Sequence, residues 1–192
     1  QAAVERSLTL CEVEQPDSPA SREMMGTKVA GLVYAGWTLW SQGYPDRALA
    51  RVHDGLTLAR QMSHPYTLAW TLSYTAVLHQ YRREVHAVQE QTEVLMALAT
   101  EQGFAFLVAF GTMLRGWTRA AQGYAAEGMA QLREGLAAHQ AMGAELYRPY
   151  FLARLAEACR HGGQVEEGLR VLHEAIAAAA LRPCSTSPGS SR

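Results

Sequence analysis

Gly36-Trp37-Thr38, followed after three residues by Gln42-Gly43-Tyr44, returns as Gly116-Trp117-Thr118 and Gln122-Gly123-Tyr124. The two copies lie 80 residues apart, a distance that resolves into two 40-residue units. A shift of 40 brings Leu32, Leu72 and Leu152 into one column, with Thr112 the exception. It brings Gly36, Ala76, Gly116 and Ala156 into a column of small residues. A period of this length predicts stacked helical units, because one unit cannot bury its apolar face alone.

Two turn columns divide each unit. The first reads Gly43, Arg83, Gly123, Gly163 and the second Ser63, Gly103, Gly143, Pro183. Glycine ends helices and proline cannot continue them, so two stops per unit imply two helices per unit. First helices are expected over 27–42, 66–81, 104–122 and 146–161, and second helices over 46–62, 84–102, 126–142 and 165–181. Pro45 and Pro65 sit where a first helical turn tolerates a missing N–H. The small column lets paired helices approach, which explains glycines that each cost about 1 kcal/mol of helix propensity. The organisation read from this is a remnant helix and linker over 1–20, four helical hairpins over 21–182, and a disordered tail over 183–192.

Composition agrees with an all-α fold. The chain has 192 residues, is 48% hydrophobic, and carries a net charge of −1, which gives no whole-chain signal for nucleic acid or an anionic membrane. Abundant alanine and sparse β-branched residues favour helix over strand. The three cysteines, Cys11, Cys159 and Cys184, make neither a paired motif nor a metal spacing, and point to reduced thiols in the cytoplasm. No apolar run reaches membrane-spanning length. The opening Gln1-Ala2-Ala3-Val4 reads as helix already under way, so the chain is expected to be an excised part of something longer.

Phosphate-loop, dinucleotide, metalloprotease and serine-hydrolase motifs are absent from the sequence, so no catalytic residue, metal ligand or cofactor is assigned. His79 and His86 straddle a turn and read as surface or capping residues. Cys159 reads as a buried thiol, and Glu166-Glu167 as carboxylates suited to a helix N-terminus.

The units resemble tetratricopeptide (TPR) repeats, with Leu32, Ala35-Gly36, Leu39, Ala48, Val52 and Gly55 at the pattern positions, although the period is 40 rather than 34. A closer resemblance rests on Gly36-Trp37-Thr38-Leu39-Trp40 with Gly43-Tyr44-Pro45-Asp46-Arg47-Ala48-Leu49, on Leu78-His79-Gln80-Tyr81-Arg82-Arg83-Glu84, and on Gly143-Ala144-Glu145-Leu146-Tyr147-Arg148-Pro149-Tyr150. These look like the C-terminal repeat region of bacterial multidomain proteins that carry a signalling ATPase, often with an adenylate/guanylate cyclase or DNA-binding domain. The resemblance implies a regulatory scaffold that contacts a protein, a peptide or other domains of its own polypeptide, and it transfers no catalytic residue.

By the TPR analogy, one face of each first helix lines a concave surface. Trp37, Trp40, Trp70, Phe110, Trp117 and Tyr150 are the candidate groove residues there, with Tyr34 and Tyr74 as adjacent equivalents. Such a groove suits a peptide, or alternatively a small-molecule inducer. The competing reading places these aromatics in the core between units. Arg115 and Arg119 lie one turn apart and Arg82-Arg83 at the preceding turn, so all four are candidate anion contacts if they converge. The stripe Phe106, Phe110, Met113, Trp117 places Arg115 and Arg119 on the opposite side of their helix. The competing reading for these arginines is a solvated or salt-bridged face.

Overall fold

The computed structural model describes residues 19–180. The remnant helix read over Val4–Glu14 and the tail after Leu181 lie outside the described residues. Eight helices follow in order: α1 Pro19–Ser41, α2 Pro45–Gln61, α3 Pro65–Tyr81, α4 Val85–Glu101, α5 Ala105–Ala121, α6 Ala125–Ala141, α7 Arg148–His161 and α8 Val165–Ala180. Among the described residues there is no strand. The helices pair as four antiparallel hairpins, α1/α2 to α7/α8, each stacked on the next. No described helix is long and apolar enough to cross a membrane.

Most helix limits fall within two residues of those expected from the turn columns. The exception is α1, which begins at Pro19 rather than near 27. Gly26 lies inside it, because a single glycine weakens a helix without stopping it.

The turn chemistry is uniform. Gly43, Gly103, Gly123, Gly143 and Gly163 all have positive φ, and so does Arg83, at 62°. At each of these turns the following N–H reaches back five residues, as in Tyr44 to the Leu39 carbonyl at 2.9 Å and Glu84 to the His79 carbonyl at 3.0 Å. This left-handed residue and its back-bond close the last carbonyls of the helix. The turn at Ser63 is built differently: Met62 is extended and the His64 side chain accepts from the Thr67 N–H at 3.2 Å, capping α3.

Successive first helices touch one another (α1/α3, α3/α5, α5/α7), whereas successive second helices do not. The array therefore curves with its first helices on the inner side. Each second helix is received by the first helix of the next unit. On α6, Met129 and Leu132 are buried, while the positions 40 residues later on α8, Leu169 and Leu172, are exposed with Ile176.

The core runs through the array between these layers. His139 of α6 is 3% exposed within it. Its ring stacks on Phe106 at 4.5 Å, and its Nε2–H donates to the Phe106 carbonyl at 3.1 Å. Burial pushes this imidazole below its ordinary pKa of 6.5, with the bond to the carbonyl opposing. The unfolded chain takes up the proton as pH falls through about 6.5, and the buried ring resists it. Stability is therefore lost as pH falls below that value, and the loss ends once the folded-state pKa is passed. Melting curves between neutral and mildly acidic pH should show a falling Tm, and His139→Gln should flatten that slope. A slope unchanged in the variant would remove His139 from this account.

Candidate functional site

The inner face is an unbroken series of aromatic rings. Tyr34 on α1 meets Trp70 and Tyr74 on α3 at 6.0 and 6.5 Å between centroids. Trp37 packs edge-on against Tyr74 and Tyr81, and Trp40 packs against Tyr81 at 5.6 Å. Tyr81 continues to Tyr150 of α7 at 5.6 Å, and Tyr74 to Tyr147, just before α7, at 6.1 Å. Edge-to-face pairs of this kind contribute beyond their buried area.

The curvature is tight enough for α3 and α7 to meet over α5. The Tyr74 and Tyr147 hydroxyls hydrogen-bond to each other, the Tyr150 hydroxyl donates to Gln80 Oε1, and Arg83 pairs with Glu157. Phe110 and Trp117 of α5 lie beneath this bridge and are each 2% exposed. Both are candidate groove residues on sequence grounds, and the structure corrects this. Their rings belong to the core between units, because the side chains of α3 and α7 close over them. Trp37, Trp40, Trp70 and Tyr150 remain half-buried.

A cavity of about 130 Å³ lies under the bridge, walled by Trp37, Tyr74, Tyr81, Tyr147 and Tyr150 over a floor of Phe110. Of the lining residues, Trp37 has an Nε1–H that lacks a partner among the described residues, as does the Nε2–H of the fully buried Gln80 beside Tyr150. A buried polar group left unpaired costs about 1–3 kcal/mol, which an incoming carbonyl would recover. Burial, with a smaller contribution from Tyr34, pushes the Tyr147 phenol up to about 12. Burial also raises Tyr150 far above the ordinary tyrosine value of 10, so both hydroxyls stay protonated at neutral pH.

Glu157 is the polar centre of the face. It takes Arg83, accepts from Trp117 Nε1 at 3.2 Å, and pairs with Arg154 at 3.0 Å. Arg154 in turn lies over the Tyr150 ring at 5.4 Å. Arg83 makes its contact from a left-handed backbone position that the other units give to glycine, at a cost of about 1 kcal/mol. Its side chain is 58% exposed, so the pair with Glu157 returns about 0–1 kcal/mol. Arg83→Gly should therefore leave chemical stability unchanged or raise it by up to about 1 kcal/mol. A loss larger than that in urea titrations would show that the pair holds α3 to α7.

The four candidate anion contacts do not converge. Arg82 is held by Asp46 at 3.1 Å and Glu84 at 2.7 Å. Arg83 is on the inner face. Arg115 and Arg119 line a separate cleft between α4, α5 and α6, with Arg119 paired to Glu127 at 2.7 Å and stacked on Tyr124 at 4.2 Å. His79 is buried at 6% exposure rather than at the surface; it bonds Glu84 at 2.6 Å and lies 3.3 Å from His53 through Nε2. Among the described residues no three His, Cys, Asp or Glu side chains cluster as metal ligands.

The repeat columns pair Tyr74 with Tyr34, but they do not single out Tyr81, Tyr147 or Gln80 as groove residues. Glu157 shares the concave-face column of Trp37 and Trp117; Tyr147 lies in a turn, and its column of Thr27, Thr67 and Leu107 holds no aromatic to mark it.

No protein-family model matches the chain. It is 25% identical over 179 residues to an uncharacterized protein of Rhizobium meliloti (strain 1021), an alignment that covers 92% of this chain and 17% of that protein. The chain thus spans about a sixth of the length of the curated relative it matches. Among solved structures it is similar to BtubC (BKLC) from P. vanneervenii, with a TM-score of 0.61 at 14% identity over 100% of this chain and 94% of that one. It is also similar to nearly identical TPR-like repeats attributed to a kinesin light chain of Podosopora anserina, with a TM-score of 0.57 at 13% identity over 94% of this chain and 85% of that one. At these identities the likeness is one of architecture: the chain has the fold of a TPR-like helical solenoid.

Proposed function

We propose that this chain is a non-catalytic TPR-type scaffold that binds an extended or helical peptide segment on its inner aromatic face. The observation that carries the reading is the series of rings from Tyr34 to Tyr150, which leaves Trp37 Nε1 and Gln80 Nε2 without acceptors. Large rigid aromatics that are half-covered at rest are effective anchors, each contributing about 2 kcal/mol or more when a partner completes their burial. Of the two, Trp37 Nε1 belongs to a residue that lines the cavity, where a peptide carbonyl supplies the acceptor it lacks.

The cavity on this face holds about 130 Å³, below the ~300 Å³ that small-molecule pockets reach, which favours a peptide side chain over a metabolite as its occupant. The reading extends to context. The chain matches one stretch of a much longer bacterial relative, which suits a repeat region of a cytoplasmic signalling ATPase, cyclase or transcription regulator whose partner lies in another protein or in the same polypeptide.

The test is selection of binding peptides from a random displayed library, followed by titration of Trp40→Ala and Trp70→Ala. Each substitution should weaken binding about tenfold or more while Tm moves by a few degrees. Undiminished binding in both variants would overturn the reading.

A further inference from the structure

The cleft between α4, α5 and α6, on the side of α5 away from the aromatic face, has a volume of about 610 Å³. Two of its lining positions are polar in columns that are otherwise apolar, and two more carry arginine in columns where no other unit has one. Gln89 stands where the other units have Leu49, Met129 and Leu169, and Thr92 where they have Val52, Leu132 and Leu172. Arg115 stands in the column of Ala35, Thr75 and Leu155, and Arg119 in that of Leu39, His79 and Cys159. Several equivalents pack as core: Val52, Leu132 and Cys159 are 0% exposed, Met129 3% and Leu155 4%, whereas Leu169 and Leu172, on the last helix, are exposed. The junction of α4 with α5 thus carries polar groups at four positions that converge on one cleft, where the α2–α3 junction has two, Thr75 and His79, and the α6–α7 junction has Met129, Leu132, Leu155 and Cys159. At Gln89 and Thr92, whose columns are otherwise apolar, the exchange forfeits apolar burial, so stability does not account for it.

Some of these groups satisfy one another. Gln122 Nε2 donates to Gln89 Oε1 at 2.8 Å, Gln89 Nε2 to Glu93 Oε1 at 2.9 Å, and Arg119 to Glu127 at 2.7 Å. Others are left over. Among the described residues, Arg115 makes no ion pair, and Thr92 Oγ1 and Gln131 Oε1 are buried without a hydrogen-bond partner. Thr92 is 2% exposed. The remaining capacity is therefore a guanidinium fork at Arg115, an acceptor at Gln131, a hydroxyl at Thr92, and the Glu93 carboxylate with one satisfied oxygen. The Met96 side chain supplies an apolar wall, filling space that a side chain at position 111 would occupy in place of Gly111.

We propose that this cleft binds a small zwitterion with the chemistry of a free amino acid. Its carboxylate pairs with the Arg115 fork. Its ammonium is balanced by Glu93 and donates to Gln131 Oε1 and Thr92 Oγ1, and the volume lies in the range of small-ligand sites. The site is separate from the peptide face and stands whether or not that face binds a peptide.

Calorimetric titration of the intact protein with the proteinogenic amino acids, and with acetate and inorganic phosphate as probes of a plain anion site, tests this. At least one amino acid should bind at micromolar to millimolar concentration, with acetate and phosphate weaker by about tenfold or more. Arg115→Ala and Thr92→Val introduce the residues that the first unit has at these positions, Ala35 and Val52. They should weaken that binding about tenfold without lowering Tm, and Trp40→Ala and Trp70→Ala should leave it unchanged. The proposal is overturned if no amino acid binds, if acetate or phosphate binds as well, or if binding survives Arg115→Ala. It is also overturned if Arg115→Ala and Thr92→Val lower Tm as core substitutions do, because the polar set would then be structural.

Discussion

Phe110→Ala should lower the stability of the array by about 3–5 kcal/mol, the range for emptying a buried phenylalanine site. The ring is 2% exposed and lies where three elements meet. It is edge-on to Tyr147 at 5.3 Å and to Phe151 at 4.9 Å, with His139 at 6.0 Å. These neighbours belong to α6, α7 and the turn before α7, and the bridge from α3 to α7 holds them in place. Collapse into the vacated space is therefore limited, which places the cost at the upper end of the range. For a chain of this length the loss corresponds to a fall in Tm of about 10 °C. A loss under about 1 kcal/mol with peptide binding abolished would return Phe110 to the groove.

Gly128→Ala should cost about 2 kcal/mol even though alanine is the better helix former by about 1 kcal/mol. A Cβ at this position would lie 2.5 Å from the Gly116 carbonyl oxygen, 2.7 Å from the Ala120 nitrogen and 2.8 Å from the Ala120 Cβ. Two of these are backbone atoms of α5, so the clash is relieved only by parting α5 from α6. The reciprocal position is as tight, with a Cβ at Gly116 falling 2.8 Å from the Gly128 oxygen. At Gly26, inside α1, an added methyl group would meet nothing within 4 Å. Gly26→Ala should thus stabilise by about 1 kcal/mol, separating helix propensity from close approach. Equal effects at the two sites would contradict the close-packing account.

Much of this architecture is legible in the repeat. The two turn columns and the column of Gly36 place the helix ends and the close helix pairs, and positive φ follows at three glycines of the Gly43 column and two of the Ser63 column. Arg83 occupies the Gly43 column, and its left-handed backbone at 62° follows the column rather than the residue type. The columns also name a face: the stripe through Phe110 and Trp117 lies opposite Arg115 and Arg119. What a column cannot state is what covers that face. The burial of Phe110 and Trp117 depends on how far the array curves between α3 and α7, a sum of small rotations at each junction, and on Tyr147, which stands in a turn. The same limit explains why the four arginines do not form one anion cluster. Arg82 and Arg83 are adjacent in sequence, but one serves the junction to Asp46 and the other crosses to Glu157.

The central claim, that the inner aromatic face receives a peptide, is tested most directly by the indole signals of the four tryptophans during titration with a selected peptide. Trp37 Nε1–H has no partner among the described residues, and Trp117 Nε1–H is already bonded to Glu157 at 3.2 Å beneath the bridge. In two-dimensional NMR the Trp37, Trp40 and Trp70 indole resonances should move on binding, with Trp37 shifting downfield as it gains an acceptor, while Trp117 stays nearly fixed. Saturable binding that leaves Trp37, Trp40 and Trp70 in place would contradict the account.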